Sequence, residues 1–247
     1  MSATALVFGV HAVRSLLLRS QGRVRKLFVD SRREDARMRE LLQLAQQAGI
    51  KPERVDAKNL DSRVGNVVHQ GVVAEVDPLP PWHEDELVAA LSAHKDPLVL
   101  VLDGVQDPHN LGACLRTADA CGALAVVIPK DRAASLNPTV RKVAAGAADT
   151  TPIATVTNMA RSLKLLKEAG LWIVGADMAG DKLAWEADLR GPLALVLGSE
   201  GDGLRELTRK TCDFLVRLPQ AGSVESLNVS VACGMLLYET TRQRSAA

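Results

Sequence analysis

The chain has 247 residues, of which 47% are hydrophobic and 24% charged, and 30 basic against 29 acidic residues give a net charge of +1. This composition predicts a globular protein with a buried core and excludes a disordered, collagen-like or disulfide-scaffold protein. No apolar run reaches the roughly 18 residues that span a membrane, and the first residues lack the basic start of a signal peptide. We therefore expect a cytoplasmic protein.

Charge and proline divide the chain into two parts. Residues 1–80 hold 13 Lys or Arg against 9 Asp or Glu, a net charge of +4, whereas residues 81–247 hold 17 against 20, a net charge of −3. Three prolines between residues 78 and 81 prevent a helix and favour an extended linker. The sequence predicts a first domain over residues 1–77, a linker over 78–95 and a second domain over 96–247.

The first domain is predicted to be a small α/β unit. Apolar spacing and stop signals indicate helices over residues 12–18 and 35–48 and strands over 24–29 and 67–76. Nine basic side chains crowd the stretch between Arg14 and Arg39. A solvated surface and an RNA-contacting face explain them equally well.

The second domain alternates strands and helices, which predicts the α/β class with a parallel sheet covered by helices on both faces. The predicted strands cover residues 98–102, 124–128, 171–175, 193–197 and 214–218. The predicted helices cover residues 110–121, 138–145, 158–169, 204–211 and 227–242. Ligands of such sheets bind beyond the carboxyl ends of the strands, so the turns that leave the strands are the places to search for a site.

The turn after the first of these strands, residues 103–112, lacks both the dinucleotide-binding and the P-loop glycine patterns. Asn110 is placed either to cap the following helix or to face a site. Arg116 lies about 100° around the helix from Leu115 in the apolar stripe, and a planar guanidinium there suits a phosphate or a carboxylate. A weak surface pair with Asp119 is the alternative.

Two further turns carry polar residues at helix starts. Three glycines at positions 198, 201 and 203 allow a sharp turn pressed against a ligand, and Glu200 within it favours a cationic or neutral ligand over a phosphate. In residues 218–230, Ser226 and Asn228 flank Leu227. Because capping requires only one of these two side chains, the other is expected to face a site.

The four cysteines, Cys114, Cys121, Cys212 and Cys233, have no CxxC spacing and lie in apolar, helix-like stretches. They are therefore expected to be reduced thiols, neither bridges nor metal ligands, and no metal site is expected.

Taken together, the three turns resemble those of the SPOUT methyltransferases, in the SpoU/TrmH branch of RNA ribose 2′-O-methyltransferases. The matching stretches are Asp107-Pro108-x-Asn110-Leu111-Gly112-x3-Arg116, Leu197-Gly198-Ser199-Glu200-Gly201-x-Gly203-Leu204 and Leu218-Pro219-x2-Gly222-Ser223-x2-Ser226-Leu227-Asn228. The similarity covers roughly residues 96–244, and residues 8–13 and 70–72 resemble the branch's small N-terminal RNA-binding domain. The whole chain most resembles members of the branch that methylate a guanosine of 23S rRNA.

The resemblance implies S-adenosylmethionine as methyl donor, a trefoil knot in the C-terminal sheet, and a homodimer with each active site at the interface. The polar active-site positions of the family fall on Asn110, Arg116, Glu200, Ser226 and Asn228. The cofactor contacts of the family come largely from the backbone around Gly198, Leu218 and Leu227.

Methyl transfer requires alignment of the ribose hydroxyl and removal of its proton, but no general acid. Because an arginine stays protonated, we expect Arg116 to clamp the target's phosphate, with Ser226 and Asn228 orienting the nucleotide. The sequence does not indicate which group accepts the proton of the ribose hydroxyl. Two alternatives are a tRNA 2′-O-methyltransferase and a non-catalytic rRNA-binding assembly factor, and the presence of Asn110, Arg116 and Asn228 disfavours the second.

Overall fold

A computed structural model of the protein describes residues 4–65, 67–223 and 226–246. Contacts divide the chain into two units, Met1–Pro80 with Ala145–Thr150, and Pro81–Ala144 with Thr151–Ala247. The strands are β1 (Ala5–Phe8), β2 (Val24–Asp30), β3 (Glu53–Val55), β4 (Val72–Val76), β5 (Leu98–Asp103), β6 (Ala125–Pro129), β7 (Ile153–Val156), β8 (Trp172–Ala176), β9 (Lys182–Leu183), β10 (Leu193–Gly198) and β11 (Phe214–Arg217). The helices are α1 (Val10–Arg19), α2 (Ala36–Gln47), α3 (Ala57–Val64), α4 (Glu84–Leu91), α5 (Pro108–Ala120), α6 (Pro138–Ala144), α7 (Ala147–Thr150), α8 (Met159–Glu168), α9 (Glu206–Thr211) and α10 (Val229–Ser245).

The smaller unit is built on a mixed four-stranded sheet in the order β1-β4-β2-β3. Strand β4 runs antiparallel to β1 and β2, and β3 is parallel to β2. Leu16 of α1 and Leu41 of α2 are fully buried in a cluster with the sheet, while Leu60 of α3 packs on Phe28 and Val73. Apolar residues at helical spacing therefore bind helices to this sheet, as the sequence predicts for a small α/β unit.

The larger unit holds a seven-stranded parallel sheet in the order β7-β6-β5-β10-β8-β11-β9. Every residue of β5, β6 and β10 is buried, as expected for strands covered by helices on both faces. The α/β prediction is thus confirmed. The chain leaves β5 toward β6 on one side and later returns to place β10 on the other, which creates a topological switch point between β5 and β10. The trefoil knot stays a prediction.

The structure differs from the sequence-based elements in the stretch predicted as a linker, residues 78–95. Helix α4 lies inside it, and its Leu87 and Leu91 are buried in the core of the larger unit. The three prolines stop at position 81, and the Glu86 carboxylate then accepts the His83 backbone N–H at 2.7 Å, which favours a helix start. Only the beginning of the stretch is therefore extended.

Within the described part of the chain, no helix combines the length and apolar character that crossing a membrane requires.

Candidate active site

Helix α5 begins directly after the turn that leaves β5, and its first turn is capped by Asp107. The Asp107 carboxylate accepts the backbone N–H of His109 at 3.0 Å, and Pro108 occupies the first helical position. Asn110 therefore does not cap this helix, so one of the two interpretations left open by the sequence is wrong. Its side chain is buried, with 7% of the residue exposed, and points to other loops.

The glycine turn after β10 folds back tightly on itself. Ser199 and Gly203 exchange two backbone hydrogen bonds of 3.0 and 3.1 Å. A Cβ on Gly198 would lie 2.0 Å from the carbonyl carbon of Gly203, so only glycine fits there. This closure presents the Glu200 side chain at the exposed tip of the turn.

Asn228 caps helix α10 and fixes the orientation of its own amide. Its Oδ1 accepts the backbone N–H groups of Ser230 at 2.9 Å and Val231 at 3.4 Å. Because the oxygen faces the helix, the Nδ2 group must point away from it. It donates to Asn110 Oδ1 at 3.0 Å and to Glu200 Oε1 at 2.9 Å.

Asn110, Glu200 and Asn228 form a closed hydrogen-bond network, since Asn110 Nδ2 also donates to Glu200 Oε1. The three residues are 90 and 28 positions apart along the chain and come from three different turns at the carboxyl edge of the sheet. A carboxylate that accepts two amide donors holds both amides in a single orientation. The network is suited to position polar groups of a bound substrate.

Arg116 on α5 and Ser226 in the third turn are both exposed and do not join this network. The Asp119 carboxylate accepts the Thr151 hydroxyl at 3.2 Å, and no described residue forms an ion pair or hydrogen bond with the Arg116 guanidinium, so the surface pair of Arg116 and Asp119 is not formed. A charged fork without an internal partner is available for an external anion. Residues 224 and 225 of the third turn lie outside the described residues.

A cavity of about 280 Å³ adjoins the network between the carboxyl ends of β8, β10 and β11. Its wall includes the three residues predicted for cofactor contacts, Gly198, Leu218 and Leu227, together with Glu200 and Ser226. The sequence also leaves several wall residues unassigned. They are Asp177 and Met178 after β8, Arg209 within α9 and Gln220 in the third turn. For Asp177, Met178 and Gln220, the position beyond a strand end is a signal that could have found them.

The cavity wall carries charges of both signs. The Asp177 carboxylate lies 2.6 Å from Arg209 Nη2, and its Oδ1 accepts the backbone N–H of Ala179 at 2.9 Å. Glu200 adds an exposed carboxylate beside it. A wall with more carboxylates than cations suits a ligand with positive charge.

The cysteines are free thiols in the structure. Burial raises the pKa of the Cys212 thiol to about 12. A hydrogen bond with Cys114, together with burial, also raises the pKa of Cys233. Since thiols with raised pKa values stay protonated, neither is an activated nucleophile. Among the described residues, no cluster of His, Cys, Asp and Glu could hold a metal ion.

Two family profiles match the chain in sequence. The SpoU rRNA Methylase family matches residues 97–238, and the domain described as RNA 2′-O ribose methyltransferase substrate binding matches residues 6–82. The 23S rRNA (guanosine-2′-O-)-methyltransferase RlmB of Pseudomonas aeruginosa is 52% identical over 246 residues, which cover 99% of both chains.

Solved structures share the fold. The SpoU methyltransferase AviRb from Streptomyces viridochromogenes, in complex with the cofactor AdoMet, matches 99% of this chain and 92% of its own at 28% identity, with a TM-score of 0.73. A TrmH/SpoU tRNA modifying enzyme of A. aeolicus matches 66% of this chain at 30% identity, with a TM-score of 0.57. The likeness to the first of these therefore extends over both units, whereas that to the second covers about two thirds of the chain.

Proposed function

The chain belongs to the SpoU rRNA methylase family, and from this membership we propose that it transfers a methyl group from S-adenosylmethionine to the ribose 2′-hydroxyl of a guanosine in 23S rRNA. The observation that carries the proposal is the full-length identity of 52% to an enzyme named for this reaction. The network of Asn110, Glu200 and Asn228 supports it, because a non-catalytic RNA-binding protein has no need of three polar side chains held at the edge of a ligand cavity.

The cavity beside the glycine turn fits the cofactor. Gly198 lets the glycine turn close where a Cβ would meet the Gly203 backbone, and residues around Leu218 and Leu227 complete the wall. When bound, S-adenosylmethionine supplies an electrophilic methyl group on a positively charged sulfur. Glu200 and Asp177 place negative charge at the wall, which favours a cation over a phosphate.

Arg116 holds the substrate by a phosphate group. Its side chain is exposed on α5, six residues after Asn110, and in the described part of the chain no internal partner competes for it. A guanidinium donates hydrogen bonds and stays protonated, so it is a poor base and a good two-point clamp for phosphate oxygens. Negative charge that develops on the ribose oxygen is stabilised by the same cation.

The asparagine network orients the nucleotide. Glu200 accepts hydrogen bonds from both amides, so neither Asn110 nor Asn228 can rotate freely. Ser226, exposed on the cavity wall, adds a hydroxyl that can hydrogen-bond the nucleotide. Alignment of the reacting atoms is the main task in a displacement of this kind, and rigid polar side chains perform it at low entropic cost.

The active protein is a homodimer with each site at the interface. Helix α10 buries Cys233, Leu236 and Leu237 in the core of the larger unit. It also exposes an apolar stripe whose residues are spaced four and three positions apart. The stripe consists of Val231, Met235 and Tyr238, with exposures of 49%, 46% and 68%. Such a stripe next to open catalytic side chains fits a second copy, which would also exclude water from the reaction.

The smaller unit binds the RNA substrate. The protein acts in the cytoplasm, where that RNA is made. Its sequence matches a substrate-binding domain and carries a net charge of +4 over residues 1–80. Phosphate contacts by Arg and Lys release counterions, so affinity for RNA falls as salt rises. Binding that does not change with salt would contradict this role.

The test is transfer of labelled methyl groups from S-adenosylmethionine to protein-free 23S rRNA and, separately, to bulk tRNA, followed by mapping of the modified nucleotide. A single 2′-O-methylguanosine in 23S rRNA is the expected result. Label in tRNA alone would assign the chain to the neighbouring tRNA enzymes. Tight cofactor binding without label in rRNA, in tRNA or in ribosomal particles would favour the assembly factor and overturn the proposal.

A further inference from the structure

Asp103, the last residue of β5, is a buried carboxylate outside the predicted site. Its side chain is 0% exposed, and it stands opposite Gly198, the last residue of β10, in the register of the parallel sheet. A carboxylate in the interior is costly unless it is paired and hydrogen-bonded. The residues that bind this carboxylate therefore indicate its role.

Both oxygens of Asp103 bind a single residue, Arg205. Oδ1 accepts Nε at 2.8 Å and also accepts Nη2, while Oδ2 accepts the Arg205 backbone N–H at 3.3 Å. The hydrogen bond with this carboxylate raises the pKa of the Arg205 guanidinium, which therefore stays protonated. Because Arg205 directly precedes α9, Asp103 holds both ends of the glycine turn, one through the strand register and the other through this pair.

The glycine turn that Asp103 holds carries Glu200, and the loop that follows Asp103 leads to Asn110. We propose that Asp103 is a positioning residue for methyl transfer, whose pair with Arg205 fixes the Glu200 turn against the loop that bears Asn110. The inference rests on the proposed function. A Cβ added at Gly104 would lie 3.9 Å from the Ser199 Cβ, so the two loops already run side by side at this point.

The test compares Asp103→Asn, Arg205→Gln and Arg205→Lys with the matched control Asp213→Asn. Asp213 also joins a strand to a basic side chain, through Ile173 N at 2.7 Å and Lys167 Nζ at 2.8 Å, but at the amino end of β8, away from the site. Turnover, KM for RNA and amide hydrogen exchange of the turn are measured for each variant. Exchange at Ser199 and Gly203 reports their mutual hydrogen bonds without any reaction.

We expect Asp103→Asn to lower turnover by about 10²-fold, the effect of a displacement of roughly 1 Å, with KM for RNA unchanged. The Ser199 and Gly203 amides exchange faster in this variant and not in Asp213→Asn. Arg205→Lys retains the charge and recovers part of the turnover that Arg205→Gln loses. Combining Asp103→Asn with Arg205→Gln gives no further loss, because both remove the same pair.

Wild-type turnover in folded Asp103→Asn, or an equal loss in Asp213→Asn, would overturn the positioning role. If Asp103→Asn fails to fold, Arg205→Gln decides, because Arg205 is 48% exposed and its replacement is tolerated at the surface. Unchanged turnover and exchange in Arg205→Gln would then contradict the inference. Failure of the proposed function shows differently, as a wild-type protein that labels no RNA while its turn amides remain protected.

Discussion

Two helices of the larger unit begin in the same way and differ in what their first residue does besides capping. Asn158 starts α8 and Asn228 starts α10, both exposed and both accepting backbone N–H groups through Oδ1. Among described residues the Asn158 amide nitrogen has no partner, whereas that of Asn228 donates to Asn110 and Glu200. A cap needs only the oxygen, so the nitrogen distinguishes a structural asparagine from one that shapes a site.

The outward faces of the same two helices differ as well. Helix α8 exposes charged side chains at Arg161, Lys164 and Glu168. Helix α10 exposes the apolar stripe of Val231 and Met235 with Tyr238. A charged face suits water and an apolar face suits a partner, which is why the proposed second copy is placed on α10.

The largest effect is expected from Arg116→Ala, which compares an arginine of the proposed site with an arginine on the charged face of α8. Loss of the phosphate clamp is expected to lower turnover by about 10²- to 10³-fold, the cost of removing one transition-state donor. The matched control is Arg161→Ala on α8, whose side chain is 70% exposed and contacts Glu84 at 3.8 Å. It should leave labelled methyl transfer unchanged.

Arg116→Lys refines the same prediction, because lysine retains the charge and loses the planar two-point geometry. We expect turnover between those of the wild type and Arg116→Ala. Near-normal turnover in Arg116→Lys would argue against a two-point clamp.

The second prediction compares Gly198, the last residue of β10, with Gly191, which lies two residues before the strand. Gly198→Ala places a Cβ 2.0 Å from Gly203, so the turn must open, at a cost of about 1–3 kcal/mol in the free energy of unfolding. Cofactor affinity, measured by titration calorimetry, should fall with it. Gly191→Ala adds a Cβ with no atom within 4 Å, and equal losses in both variants would contradict the role of the turn.

The third prediction concerns the stripe on α10. Met235→Glu places a charge in the proposed interface and should weaken dimerisation at least about tenfold, a cost of about 1.4 kcal/mol, as measured by sedimentation equilibrium. Leu207→Glu, on α9 and 62% exposed, is the control and should leave the dimer intact. A wild-type protein that sediments as a monomer would refute the homodimer.

Apolar periodicity was sufficient to predict the parallel sheet, because its buried strands read as continuous apolar runs such as residues 98–102. It missed short elements like β3 and α3, whose polar sequences contain few buried residues. It also could not orient α10, since the residues Cys233, Leu236 and Leu237 are as apolar as the exposed stripe. Which of two apolar faces a helix buries is decided by packing that the sequence pattern does not contain.

The candidate site could be predicted only in part, because the sequence pattern does not show which side chains meet. Motif spacing named Asn110, Glu200 and Asn228, but capping rules alone left Asn110 ambiguous until Asp107 was seen to hold the cap. Asp103 was missed because a carboxylate at a strand end has no pattern of its own. Its role depends on Arg205, 102 positions later.

The most direct measurement is methyl transfer to 23S rRNA by Asn228→Asp, with Asn158→Asp beside it. Aspartate caps a helix as well as asparagine does, so both variants should fold and keep their helix caps, as circular dichroism checks. At position 228, however, the donor to Asn110 is lost and a second carboxylate faces Glu200. Turnover is expected to fall about 10²-fold in Asn228→Asp and to stay normal in Asn158→Asp. A stable Asn228→Asp enzyme with normal turnover would contradict the network as the active site.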